Sequence, residues 1–255
     1  MTNNPRWHQN REGPESRAGC GLGLYQTAAQ LLDYQCRQTG VLEMMLSLRS
    51  LGGHPLCFGG FVRDALHSAL IGEATPPRDY DIGVSRIGHR SFDAYASAIG
   101  GQRNRYGGYR LCARDGRIID LWRLEETVGV LESKCRPTIA NVLKTFVLDL
   151  NAIAYDPFDQ TFQDEGCFRS LIRRTIGFVP GALLHDHSNF AARALCLQTR
   201  FQFRLSDKLR RFVTTWHDSE EYGRQTIKHR NYSTSSNELP PPSTVGVESM
   251  PGCAA

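Results

Sequence analysis

The stretch from Leu56 to Val84 constrains this chain more than any other. A short apolar strand, Leu56-Cys57-Phe58, ends at Gly59-Gly60, and apolar residues then recur at helical spacing through Val62, Leu66, Ala69 and Leu70. A polar loop carrying Pro76-Pro77 leads into a second strand, Asp79-Tyr80-Asp81-Ile82-Gly83-Val84. Side chains alternate between the two faces of a strand, so Asp79 and Asp81 point the same way. Two carboxylates held that close repel each other unless a cation lies between them or a proton is retained. Alone, an Asp-x-Asp pair is a common strand-edge feature and Gly-Gly a common turn. Their order, with a helix between them, carries the information.

The rest of the chain supplies the layers around this unit. Residues 26–49 have helical spacing, with Gly40 placed to split the helix. Ser91 can cap a short helix through Ala98. Tyr109–Ala113 and Arg117–Trp122 flank an Asp115-Gly116 turn and read as a hairpin. A mixed region follows, then a strand over Val147–Tyr155 and helices over 188–201 and 206–216. Strands interleaved with helices, then helices alone, predict an α/β (α+β) fold: a mixed sheet flanked by helices, followed by a short helical segment. The first 22 residues and the Ser- and Pro-rich stretch from Asn231 onward lack periodicity and are set aside from the fold.

Composition excludes several classes. No apolar run is long enough to span a bilayer, and the N-terminus lacks the apolar core of a secretory signal, so a cytoplasmic protein is expected. The eight cysteines include no Cys-x-x-Cys and read as reduced thiols. Net charge is only +4, but Arg169 to Arg211 holds nine Lys/Arg (169, 173, 174, 193, 200, 204, 208, 210, 211) against Asp186 and Asp207. That stretch can attract phosphates or be an ordinary solvated helix face. His185-Asp186-His187 has chelating spacing but no second cluster beside it, which favours a polar helix start.

The acids point to a metal site. Asp120 sits between Ile118-Ile119 and Leu121-Trp122 on the strand after the hairpin turn, an unusual setting for a carboxylate. Three carboxylates can hold two Mg²⁺ ions that clamp the attacking and leaving oxygens of an in-line displacement. Gly59 and Gly60 let backbone approach a polyphosphate at a helix N-terminus. Arg63 in the first turn could add a guanidinium fork, and Asp64 could cap or pair locally.

This constellation resembles the head domain of class II CCA-adding enzymes and bacterial poly(A) polymerases, within the DNA polymerase β-like nucleotidyltransferase superfamily. The quoted block is GGFVRDALHSALIGEATPPRDYDIGV; Asp120 in RIIDLWRLE matches the third acid, Arg123 and Glu125 echo an Arg-x-Glu, and NAIAYDP (151–157) and RALCLQTRFQF (193–203) match later blocks. The resemblance runs from about residue 54 to about residue 212. It implies transfer of a nucleoside monophosphate from an NTP to a hydroxyl with release of pyrophosphate. Asp79, Asp81 and Asp120 would be catalytic and would bind two Mg²⁺ ions. Gly59, Gly60, Arg63, Asp64, Arg123 and Asn151 would bind the nucleotide. It also implies a division into a tail (1–22), a head (23–180), a neck-like segment (181–222) and a second tail (223–255).

Three departures narrow the expectation. Eighteen residues separate Gly60 from Asp79, which predicts an enlarged loop around Ile71–Pro77. Thr145-Phe146-Val147-Leu148 stands where the family carries a ribose-contacting Arg-Arg-Asp-Phe, with Asp149 as a partial substitute. Asp186-His187-Ser188-Asn189-Phe190 replaces the base-reading Glu-Asp-x-x-Arg, and tRNA-gripping body and tail domains are not expected after it. The expected partners are an NTP and an RNA 3′ end, with no membrane. Two other readings stay open: a non-catalytic nucleotide- or RNA-binding module, and a toxin-type nucleotidyltransferase acting on tRNA or protein.

Overall fold

The computed structural model describes residues 18–182 and 187–217, with side chains described over 23–182 and 190–216. Elements run in the order α1 (Ala18–Thr39), α2 (Val41–Ser50), β1 (His54–Phe58), α3 (Gly59–Ile71), β2 (Asp79–Ser85), α4 (His89–Ala98), β3 (Gln102–Arg103), β4 (Tyr109–Cys112) and β5 (Ile118–Arg123). They continue with α5 (Val128–Glu132), α6 (Ile139–Thr145), β6 (Ile153–Asp156), β7 (Thr161–Asp164), α7 (Cys167–Arg173), β8 (Thr175–Ile176), α8 (His187–Phe201), β9 (Arg204–Leu205) and α9 (Asp207–His217). A seven-stranded sheet has the order β3-β4-β5-β2-β1-β6-β7, and β8 pairs with β9 in a small second sheet. β2 and β5 are parallel; β1 is antiparallel to both β2 and β6. The expected mixed sheet flanked by helices is what the chain forms.

Strand alternation sorts the sheet into two faces. Cys57, Tyr80, Ile82, Val84, Ile119, Leu121, Ile153 and Tyr155 lie in a large core with α1 to α4. Leu56, Phe58 and Ala154 face the other way and pack against Val130 of α5 and Val142 and Leu143 of α6. Asp79, Asp81 and Asp120 belong to this second face by the same period of two. Buried residues of α8 and α9, including Ala194, Leu197, Phe201, Leu209 and Val213, join the large core, so the helical segment shares the core of the sheet.

Gly40 splits the first helix as expected. Its φ of +81° is a left-handed conformation that a side chain disfavours, and an added Cβ would lie 3.1 Å from Arg114 Nε. Other expectations are corrected. The helix α4 starts at His89 after Gly88, whose carbonyl takes the Phe92 N–H at 3.0 Å, so Ser91 lies inside the first turn and is not its cap. The continuous strand over Val147–Tyr155 is replaced by a tight turn at Val147 (φ 63°), a 3-10 turn over Asp149–Asn151, and only then β6. Apolar residues there satisfy burial in either state, so periodicity could not separate them. The strands β3 and β7 and the helix α7 were not anticipated. His185 and Asp186 lie outside the described residues, as does the His187 side chain.

Among the described residues six cysteines are free thiols, as read from their spacing. No helix of the described residues is long and apolar enough to cross a membrane.

The turn after β6 carries a local acid dependence. Asp156 accepts from the Phe158 and Asp159 backbone N–H groups at 2.9 and 3.2 Å and meets the His54 ring at 2.6 Å. Burial works to raise its pKa, but these partners outweigh burial and hold it below the ordinary carboxylate range. A depressed carboxylate contributes stability above its ordinary titration range and loses it as pH falls through the depressed value. Asp156→Asn is therefore expected to flatten the acid limb of the melting-temperature profile relative to wild type. An unchanged acid limb in thermal denaturation would refute this.

Candidate active site

The parallel pairing of β2 with β5 sets Asp81 directly beside Asp120, with Asp79 beside Ile118 two positions back. Register partners in neighbouring strands point to one face, so all three carboxylates emerge on the α5–α6 side. β1 completes the row: Phe58 pairs with Asp81, and the chain turns at Gly59 into α3. An added Cβ on Gly59 would lie 3.1 Å from Asp81 Oδ2 and 2.9 Å from Phe146 Cε1, and its φ is +61°. The glycine turn thus abuts the central acid, as a polyphosphate cradle beside a metal site requires. Gly59→Ala is expected to cost about 1–3 kcal/mol of stability through strain and overpacking. Thermal denaturation showing no loss would mean the turn tolerates a side chain.

The electrostatics are those of crowded acids. Burial, then Asp79, then Asp120 push the Asp81 pKa up to about 7, opposed by Arg193 and Arg78. Asp79 Oδ2 accepts from Arg78 at 3.0 Å, and Asp120 Oδ1 accepts from Arg110 Nε at 3.1 Å. With two acids each turned to an arginine, no three acid, His or Cys donors converge into a ready-made cage among the described residues. The donor set nonetheless fits Mg²⁺: it is oxygen-only, and the strands fix the carboxylates side by side. The Arg78 and Arg110 side chains are 78% and 55% exposed, so both guanidiniums can swing off into water at small cost.

The other expected residues fall into two groups. Arg63 and Asp64 face inward, not toward a phosphate. The Arg63 side chain is 5% exposed and that of Asp64 1%, and the Arg63 Nε donates to Asp64 Oδ1 at 2.9 Å. Arg63 also donates to Asn151 Oδ1 and lies over the Phe201 ring at 4.9 Å. Asp64 takes a second guanidinium, Arg200 from α8, at 2.9 Å. This cluster pins α3, the turn before β6 and α8 to one another. Gly60 stands over it, an added Cβ falling 3.3 Å from an Arg63 nitrogen. Arg123 is turned away: three residues beyond Asp120, it lies on the opposite face, donating to the Ile87 carbonyl at 3.1 Å and pairing with Glu126 at 3.0 Å. A group that far along and behind the strand does not reach a nucleotide held by the acids.

Asp149 does not take over a ribose contact. It is buried and accepts from the Gly177 backbone N–H at 2.8 Å. Phe146 instead lies parallel to Phe58 at 6.1 Å, an apolar wall beside the glycine turn. The enlarged loop after α3 is tied down: the Thr75 N–H donates to Ser68 Oγ at 2.8 Å, and Arg200 donates to the Pro76 carbonyl at 3.2 Å.

Arg78 and Arg110 pair with the acids and the Arg193 charge acts on Asp81, but none of the three was assigned to the site from the sequence. Arg110 was legible, since the Asp115-Gly116 turn fixes Cys112 opposite Ile118 and therefore Arg110 opposite Asp120. Arg193 depends on the docking of α8, which no local pattern reports.

No protein-family model and no curated protein matches the chain. Solved structures do. A CCA-adding enzyme in complex with CTP matches 69% of this chain and 42% of its own, at 23% identity and a TM-score of 0.51. The Thermotoga maritima CCA-adding enzyme complexed with tRNA matches 71% of this chain and 42% of its own, at 21% identity and a TM-score of 0.51. An apo CCA-adding enzyme matches 80% and 44%, at 20% identity and a TM-score of 0.51. The chain spans less than half the length of these enzymes, and at such identities the likeness is one of fold: a mixed sheet flanked by helices, shared with the CCA-adding enzymes.

Proposed function

We propose that this protein transfers a nucleoside monophosphate from an NTP to a hydroxyl at an RNA 3′ end, releasing pyrophosphate. The observation that carries the reading is the alignment of Asp79, Asp81 and Asp120 on one face of β2 and β5, with the Gly59 turn against Asp81. The solved neighbours include complexes with CTP, ATP and tRNA, which supports the NTP and the RNA end as substrates here. Descent from the class II or poly(A) polymerase branch is part of the same proposal, resting on the quoted motifs.

In this reading Asp79, Asp81 and Asp120 would hold two Mg²⁺ ions. Bound there, the ions would supply charge neutralisation at the triphosphate and lower the pKa of the attacking hydroxyl. The backbone at Gly59 and Gly60 admits the triphosphate at the start of α3. The guanidiniums of Arg78 and Arg193 add positive charge next to Asp81, where negative charge accumulates. The buried Arg63–Asp64–Asn151 cluster positions the glycine turn without touching substrate. A bond forms between the acceptor oxygen and the α-phosphorus, the α–β bridge breaks, the hydroxyl proton is released, and pyrophosphate leaves.

The test is a transfer assay with each of the four NTPs, Mg²⁺ and tRNA, with intact mass of every product. A defined mass increment per nucleotide supports the reading. Nucleotide binding with no transfer and no pyrophosphate release, across RNA, protein and small-molecule acceptors, would favour a non-catalytic module. An increment on protein alone, or growth arrest on expression relieved by Asp81→Ala, would move the acceptor toward the toxin-type reading.

A further inference from the structure

The nine cations between Arg169 and Arg211 separate by role once folded. Arg200 pairs with Asp64, Arg210 with Asp207, Arg174 lies over the Phe203 ring, and the Arg193 charge acts on Asp81. Arg204 and Arg211 are exposed elsewhere. The remaining three, Arg169, Arg173 and Lys208, line a single cavity of about 490 Å³ between α7 and α9. That volume is within the range of ligand sites.

Its chemistry is that of an anion site. Arg169 and Arg173 stand four residues apart on one face of α7, and Lys208 reaches the cavity from α9, 5.6 Å from the Phe178 ring. Thr175, Ser206, Gly177 and Gly181 also line it. The acid in the lining, Asp149, accepts from the Gly177 N–H at 2.8 Å and has the Arg169 charge near it, so Arg173 and Lys208 are the cations it leaves for an incoming anion. All three cations are exposed at the rim, whereas the buried polar side chains of the lining are Asp149 and Ser170. Cations spread along a rim suit a chain of phosphates more than one small anion, which would call for a convergent, enclosed guanidinium.

The cavity is also wired to the acids. Asp149 donates its N–H to the Gly177 carbonyl at 3.0 Å, and Leu148 bridges to Phe178. Two residues on, Asn151 accepts from Arg63 beneath the glycine turn. The wall of the cavity and the floor of the candidate active site are thus one short stretch of chain.

We propose that this cavity is a subsite for the phosphodiester backbone of the RNA acceptor strand. The inference rests on RNA being the acceptor, as argued above, but it concerns binding and is read without turnover.

The experiment is fluorescence anisotropy of a labelled single-stranded RNA of about 12 nucleotides against the full chain, without NTP, across a salt series. The comparison is with the triple variant Arg169→Ala, Arg173→Ala, Lys208→Ala. At about 0.1 M salt the variant is expected to bind at least about tenfold more weakly, and the slope of log affinity against log salt is expected to shrink by at least about one, at roughly 0.7 per phosphate lost. Unchanged affinity and slope, or no RNA binding by wild type, would overturn the subsite. Displacement of the RNA by inorganic phosphate beyond that by chloride at equal ionic strength would overturn it in favour of a small-anion site. Equal, triple-sensitive binding of polyglutamate would overturn it in favour of an acidic protein. Should the triple variant fold poorly by circular dichroism, the single exposed change Lys208→Glu carries the same comparison. In the transfer assay, wild-type turnover with an unchanged KM for RNA in the variant removes the subsite and leaves the transferase. RNA binding lost in the variant, with no transfer by wild type, leaves the subsite and removes the transferase.

Discussion

Asp81→Asn is expected to lower nucleotidyl transfer by about 10³-fold or more while leaving the folded chain as stable as wild type, or more so. The two effects have one cause. Asp81 sits between Asp79 and Asp120, and burial with these two neighbours pushes its pKa up to about 7. Like charges brought together on a sheet face destabilise the fold in the absence of a cation and become ligands in its presence. An amide of the same shape removes the repulsion and one ligand together. Loss of one preorganised charge-stabilising group in other enzymes costs about 10²–10³-fold, and a carboxylate that would hold the metal ions belongs at or above the top of that range. Asp120→Asn is the informative control, since its carboxylate already has Arg110 as a partner and its removal frees an exposed guanidinium at little cost. Transfer by Asp81→Asn within tenfold of wild type would end the three-carboxylate reading. A large drop in melting temperature would show instead that Asp81 is structural.

The parts of this site that the sequence disclosed are those fixed by local periodicity. The period of two put Asp79 and Asp81 on one face, and the hairpin turn brought Asp120 into a strand whose register is set within a few residues. Gly59 opens the helix at a positive φ that side chains disfavour and in a gap where a Cβ would meet Phe146 and Asp81. What was not legible depends on contacts between distant segments. Arg63 looked like a phosphate ligand because its place in the first turn is right. Its partners, Asn151 and Phe201, lie 88 and 138 residues away, and they turn the guanidinium inward. Arg123 was drawn from the Arg-x-Glu that the resemblance places after the third acid, yet an odd spacing from Asp120 on a strand puts it behind the sheet. The tight turn at Val147 broke a stretch whose apolar residues are equally at home in a strand, so no pattern announced it.

Asp64→Asn is expected to destabilise the chain by about 3–5 kcal/mol, a fall in melting temperature on the order of 10 °C. Asp64 is the shared anion of two guanidiniums, Arg63 at 2.8 Å and Arg200 at 2.9 Å, and its side chain is 1% exposed. Removing the charge leaves Arg63, itself 5% exposed, with a neutral amide and Asn151 as its only polar partners named here. An uncompensated buried cation is far more costly than the pair was favourable, because desolvation of both ions is largely repaid by their attraction. Arg200, more than a third exposed, can return to water and adds little. The asymmetry gives a second readout: replacing Arg63 and Asp64 together by Met and Leu should recover most of the stability that Asp64→Asn loses, since no charge is then stranded. That double variant should fold yet transfer poorly, because the cluster holds the glycine turn, the 3-10 turn at Asn151 and α8 in one arrangement. A cost below about 1 kcal/mol for Asp64→Asn would mean the guanidinium finds water, and the buried cluster would no longer explain how the turn is positioned.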